Sequence, residues 1–97
     1  MNQFLEDLGQ RWVAAAQRRA VRIEAPALDP KLALEVLELA RVAAHTGERR
    51  FAPLSCFMAG VAAERLQAAN RRLDDATVAA FILEVRQELE SETPAAT

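Results

Sequence analysis

The stretch His45-Thr46-Gly47-Glu48-Arg49-Arg50-Phe51-Ala52-Pro53-Leu54-Ser55-Cys56-Phe57-Met58-Ala59-Gly60 decides how this chain is read. A polar turn with paired arginines leads into a run of apolar residues. Gly47 suits the left-handed conformation that ends a helix, and Pro53 suits the first turn of the next one. From Pro53 to about residue 69, Leu54, Phe57, Met58, Val61, Ala62 and Leu66 recur at helical spacing. Cys56, Ala59, Gly60 and Ala63, on the remaining faces, are small or apolar too. A helix apolar nearly all round is one buried on several sides. The stretch therefore predicts a buried third helix whose N-terminus emerges beside two positive charges.

The flanking sequence supplies three more helices. Before the turn, Asp29-Pro30 is an N-cap followed by proline at the first helical position. Leu32, Val36, Leu37, Leu39, Ala40, Ala43 and Ala44 then form a broad apolar face up to about His45, with Glu35, Glu38 and Arg41 on the wet side. After the third helix, Asn70-Arg71-Arg72-Leu73 reads as a turn. Asp74 or Asp75 caps a fourth helix to about Glu90, with Val78, Phe81, Ile82, Val85 and Leu89 as its face. At the start, Asn2 caps a helix over about residues 3–21, carried by Leu5, Leu8, Trp12, Ala15, Ala16 and Arg19. Gly9 weakens that helix by about 1 kcal/mol relative to alanine, which leaves Trp12 as its expected anchor. Pro26 makes residues 22–28 a connector. The expected architecture is all-α, a single small domain over residues 1–90. It is an antiparallel bundle or an orthogonal cluster around the third helix, with a disordered tail at 91–97.

Composition agrees with helices. The chain has 97 residues, 52% of them apolar, with 3 glycines, 4 prolines and no tyrosine. Alanine, leucine, arginine and glutamate fill helices, whereas strands want β-branched and aromatic residues. A formal charge of −2 gives no general basic field for nucleic acid. One cysteine excludes an internal disulfide and fits a reducing compartment. No apolar run approaches the roughly 20 residues that span a bilayer, and residues 1–7 lack the pattern of a signal peptide. A cytoplasmic protein is expected, bound to neither membrane nor nucleic acid.

Candidate chemistry gathers around the opening stretch. His45, the single histidine, has no second ligand at metal-binding spacing. At a helix end it fits a role in bonding carbonyls. Cys56, within an apolar run, reads as a small hydrophobe. Ser55 has no base placed by any motif, and no glycine-rich phosphate loop is present. The arginine pairs Arg18-Arg19, Arg49-Arg50 and Arg71-Arg72 all lie at or near helix ends, where a solvated surface and the helix dipole suffice to explain them. Arg49 and Arg50 admit a sharper reading, because they precede a helix N-terminus that attracts anions. DNA recognition through that helix is disfavoured: no side chains suited to base edges line it, and Glu84, Glu88, Glu90 and Glu92 would repel a phosphate backbone.

The series Leu39-Ala40-Arg41, Ala44-His45, Arg49, Ala52-Pro53-Leu54-Ser55, Phe57-Met58 and Gly60, with Trp12 upstream, resembles a small helical domain of unknown function common in GC-rich actinobacteria. That domain occurs alone or fused behind the nucleotidyltransferase domain of molybdenum cofactor guanylyltransferases. Arg50 stands where proline is usual, Phe51 where a small residue is usual, and Ser55 where threonine is usual. The resemblance implies a helical bundle and draws attention to His45, Arg49 and Ser55 around one turn. It implies no established activity, and it links the chain to the molybdenum cofactor by domain neighbourhood alone.

Two functional readings follow. The first is a non-enzymatic interaction or accessory module with a protein partner. Its docking surface is the Arg49-Arg50 turn and an exposed apolar strip of the first helix, through which copies could also self-associate as a homodimer. The second is a small-anion or nucleotide-binding domain in which His45, Arg49, Arg50 and Ser55 converge on a phosphate at the third helix N-terminus. Neither calls on a catalytic residue, a metal or a cofactor.

Overall fold

A computed structural model describes residues 2–92. The chain is all-α, with helices α1 (Gln3–Gln17), α2 (Pro30–Thr46), α3 (Phe51–Ala69) and α4 (Asp75–Glu92). It divides into two compact units, one reaching Pro30 and the other beginning at Lys31. Of the tail expected at 91–97, Ser91 and Glu92 close α4 and the rest lies outside the described residues.

In the first unit, the Asn2 side chain accepts from the Phe4 N–H at 2.7 Å and the Leu5 N–H at 3.4 Å, the expected cap. The helix stops at Gln17, four residues short of expectation. Ala20 takes a φ of 61°. The Val21 N–H then reaches back to the Ala16 carbonyl, and the Ala20 N–H to that of Gln17, each at 2.9 Å. This pair of bonds is a Schellman ending, with alanine where glycine usually sits. A side chain in the left-handed region costs roughly 1–2 kcal/mol, so Ala20→Gly is expected to stabilise the unit by about 0.5–1 kcal/mol after glycine's own entropy cost. Slower amide exchange along α1 checks it.

Gly9 is the one buried residue of α1. The connector crosses there: a Cβ on Gly9 would lie 2.8 Å from the Pro26 carbonyl oxygen. That contact is with backbone, so a side chain could be accommodated only by moving the connector. The expected anchor is corrected accordingly. Trp12 is 56% exposed and, with Leu5, Leu8 and Leu28, lines an open hollow of about 380 Å³.

In the second unit, the core comes from α2 and α4. Leu39, Val42 and Ala43 of α2 and Val78, Ala79 and Ile82 of α4 are buried, and Leu39 packs with Val78 and Ile82. Both triplets fall on one face at helical spacing. Across this contact Glu35 pairs with Arg86, and Arg41 with Glu90. The registers rise together, so α2 and α4 run in the same direction.

The expectation of a buried third helix is overturned. No residue of α3 is buried. Leu54, Phe57 and Met58 are 60%, 73% and 70% exposed. The cause is a shortage of neighbours. A helix apolar on every side needs cover on several sides, and the unit supplies two other helices that already pack on each other. Its small-residue stripe is what packs on the core, with Ala59 and Ala63 against Leu39, Val78 and Ile82.

The turns are held by side chains. At the end of α2, the Thr46 hydroxyl donates to the Ala43 carbonyl at 2.7 Å. Gly47 does not adopt a positive φ, contrary to expectation. After α3, the Asn70 N–H bonds the Leu66 carbonyl, and the Asn70 side chain accepts from the Arg72 N–H. Asp74, rather than Asp75, caps α4: its carboxylate accepts from both the N–H and the hydroxyl of Thr77, at 2.9 and 2.8 Å. Those bonds hold the Asp74 carboxyl below its ordinary pKa.

Candidate docking site

The four candidate residues around the opening turn take separate roles. His45 Nδ1 donates to the Arg41 carbonyl at 2.6 Å, bonding its own helix. The Arg50 guanidinium is paired with the Glu48 carboxylate two residues before it. Arg49 is exposed. Ser55 lines an apolar groove.

The N-terminus of α3 has little left to offer an anion. It starts at Phe51, two residues before Pro53. The Phe51 N–H bonds the Glu48 carbonyl at 3.0 Å, and the Ala52 N–H bonds that of Arg49 at 3.1 Å. Pro53 has no N–H. Three of the positions whose N–H groups an anion would use are therefore spent or missing.

The groove runs between α3 and α4, over Leu39 of α2. It is lined by Leu39 of α2, Ser55 and Met58 of α3, and Phe81, Val85 and Leu89 of α4, and it encloses about 250 Å³. Its walls are almost wholly apolar. Leu54 and Phe57 on α3, and Leu34 and Leu37 on α2, are exposed as well. Phe51, Leu54 and Met58 follow the i, i+3, i+7 rhythm of one helix face. Contiguous exposed apolar faces often mark interaction surfaces.

Cys56 faces inward from α3, its thiol 3.7 Å from the Val36 carbonyl. Burial pushes its pKa up, which suits a packing role better than a nucleophile. Among the described residues, no group of three His, Cys, Asp or Glu is placed to hold a metal ion. None of their helices is long and apolar enough to cross a membrane.

One ion-pair network was not anticipated from the sequence. Arg86 bonds Glu90 at 2.8 Å and Glu35 at 3.4 Å, and Arg41 bonds Glu90 at 3.2 Å and Glu38 at 3.0 Å. Arg86 is largely buried, and its Nε finds no partner among the described residues. The signal lay in its position: Arg86 continues the stripe Val78, Ile82 at a step of four.

The bonds from Arg86, and secondarily from Arg41, hold the Glu90 carboxyl below its ordinary value of 4.5. A depressed folded pKa means the unfolded chain takes up the proton first. The stabilisation is therefore complete above the ordinary value and is lost as pH falls from there through the folded one. In urea titrations, the wild type is expected to lose stability through that acid window, and Glu90→Gln is expected to show a shallower loss from a lower starting point at neutral pH.

No curated protein and no solved structure matches this chain. Residues 6–96 match a family described as a domain of unknown function, DUF6457, which takes in α4 and almost all of α1, so the chain belongs to that family.

Proposed function

We propose that this domain is a non-enzymatic interaction module that receives a protein partner on the α3–α4 groove. The observation that supports the reading is a groove with apolar walls whose lining residue Met58 is 70% exposed, with Leu54 exposed one turn before it on α3. Interface centres are apolar and rich in aromatic residues and methionine, and this groove is lined by both Met58 and Phe81. The docking surface thus moves from the arginine turn to the groove. The anion or nucleotide reading has less support, because the Phe51 and Ala52 N–H groups are already bonded and Arg50 is paired with Glu48.

The resemblance to a domain that travels with molybdenum cofactor guanylyltransferases makes such an enzyme the first partner to try. An accessory role in that or another nucleotidyltransferase pathway rests on that resemblance alone.

The test is a binding series with a purified molybdenum cofactor guanylyltransferase from the same cell, followed by cross-linking of native extract. Wild type is compared with Met58→Asp and with Arg49→Glu combined with Arg50→Glu. Capture that survives the arginine changes and is lost with Met58→Asp supports the groove. Capture lost only with the arginine changes returns docking to the turn and contradicts the proposal.

A further inference from the structure

The walls of the groove are unequal in charge, and this narrows what can lie in it. Phe81, Val85 and Leu89 form the α4 wall at steps of four. Glu84 and Glu88 precede Val85 and Leu89 by one position each, so they form a parallel stripe along the outer edge of the same wall. Glu92 extends it by one more turn. All three are exposed. None of them takes part in an ion pair among the described residues, whereas Glu35, Glu38, Glu48 and Glu90 are all paired with arginines. On the α3 wall the corresponding face carries a single charge, Arg65, seven residues beyond Met58.

Three like charges at i, i+4 and i+8 repel one another along a helix. They also lie next to the apolar surface that a partner would cover. A partner carrying positive charge along that edge relieves the repulsion and gains attraction across it, whereas an acidic partner adds to the repulsion. A narrow apolar channel between two helices fits the apolar face of a third, read as anchors at i, i+3, i+4 and i+7.

Resting on the docking function proposed above, we infer that the occupant of the groove is an amphipathic helix whose apolar face is flanked by lysine or arginine, with the basic flank against Glu84 and Glu88. The rim charges set selectivity and rate, and the apolar face supplies most of the affinity.

The test uses the full chain and two labelled helical peptides of about 18 residues, long enough for five turns. They share one leucine and phenylalanine face and differ only in flanking lysine or glutamate. The lysine peptide is expected to bind roughly three- to tenfold more tightly at low salt, with the gap closing at high salt. Glu84→Lys combined with Glu88→Lys is expected to reverse the order, and Met58→Asp to abolish binding of both. These charge changes lie on exposed positions, and circular dichroism confirms that each variant folds. Equal binding of the two peptides, lost with Met58→Asp, overturns the basic-helix inference and leaves the groove as a docking site. Failure of both peptides to bind wild type overturns the groove reading as well. Sedimentation of the free protein as a dimer that Met58→Asp dissociates assigns the groove to a second copy and overturns the inference.

Discussion

Ile82→Ala is expected to destabilise the α2–α3–α4 unit by about 2–5 kcal/mol, the range for removing a buried aliphatic side chain that leaves a cavity. Ile82 is 4% exposed and packs with Leu39 and Val78, the residues on which the α2–α4 contact rests. A domain of this size has little stability to spare, so the variant is expected to be partly unfolded at physiological temperature. Leu37→Ala is the matched control. Leu37 is 66% exposed, and its truncation is expected to change stability by less than about 0.5 kcal/mol. Urea midpoints of the two variants decide the matter. Equal losses would mean that the face of α2 assigned to solvent is in fact packed.

The second large effect is on binding. Met58→Asp places a charge at the centre of the groove while leaving a site that is already exposed. Stability is expected to stay within about 1 kcal/mol of wild type, since the change touches no buried contact. Affinity for the groove's partner is expected to fall at least about a hundredfold, because a central contact is lost and the new carboxylate must be desolvated on binding. Phe57→Ser is expected to leave affinity within about threefold of wild type, since Phe57 is exposed but does not line the groove. Isothermal titration with the captured partner, alongside thermal melts, separates the two quantities. A loss of binding that tracks a loss of folding would remove the argument.

The helix content and most helix starts were legible in the sequence because they depend on local chemistry. Asn2, Pro30 and Asp74 act within a few residues of themselves, and the structure places each where that chemistry requires. The exposed side of α3 was not legible. Its apolar residues surround the helix, so periodicity carries no direction, and only the count of neighbouring helices determines which stripe is covered. The close approach at Gly9 depends on where Pro26 returns, a non-local fact. The left-handed position fell on Ala20 rather than Gly47 because the connector after α1 must reverse sharply, whereas the end of α2 is satisfied by Thr46. Of the candidate site, His45 was legible as a residue that bonds its own helix. The pairing of Arg50 was missed because Glu48, two residues away, was not weighed as its partner. The α3 N-terminus looked open because its start was expected at Pro53, and the two earlier residues consume its donors.

The most direct test of the central claim, that the α3 face is open in the free protein and covered on binding, is the methyl resonance of Met58. The chain has two methionines, so selective ¹³C-methyl labelling gives a spectrum simple enough to read without full assignment, and a Met58→Leu variant identifies the peak. A soluble gadolinium chelate is added to the free protein and then to its complex with the lysine-flanked peptide. The structure predicts strong paramagnetic broadening of the Met58 methyl in the free protein and protection once the peptide is bound. A Met58 methyl already protected in the free, monomeric protein would contradict the account.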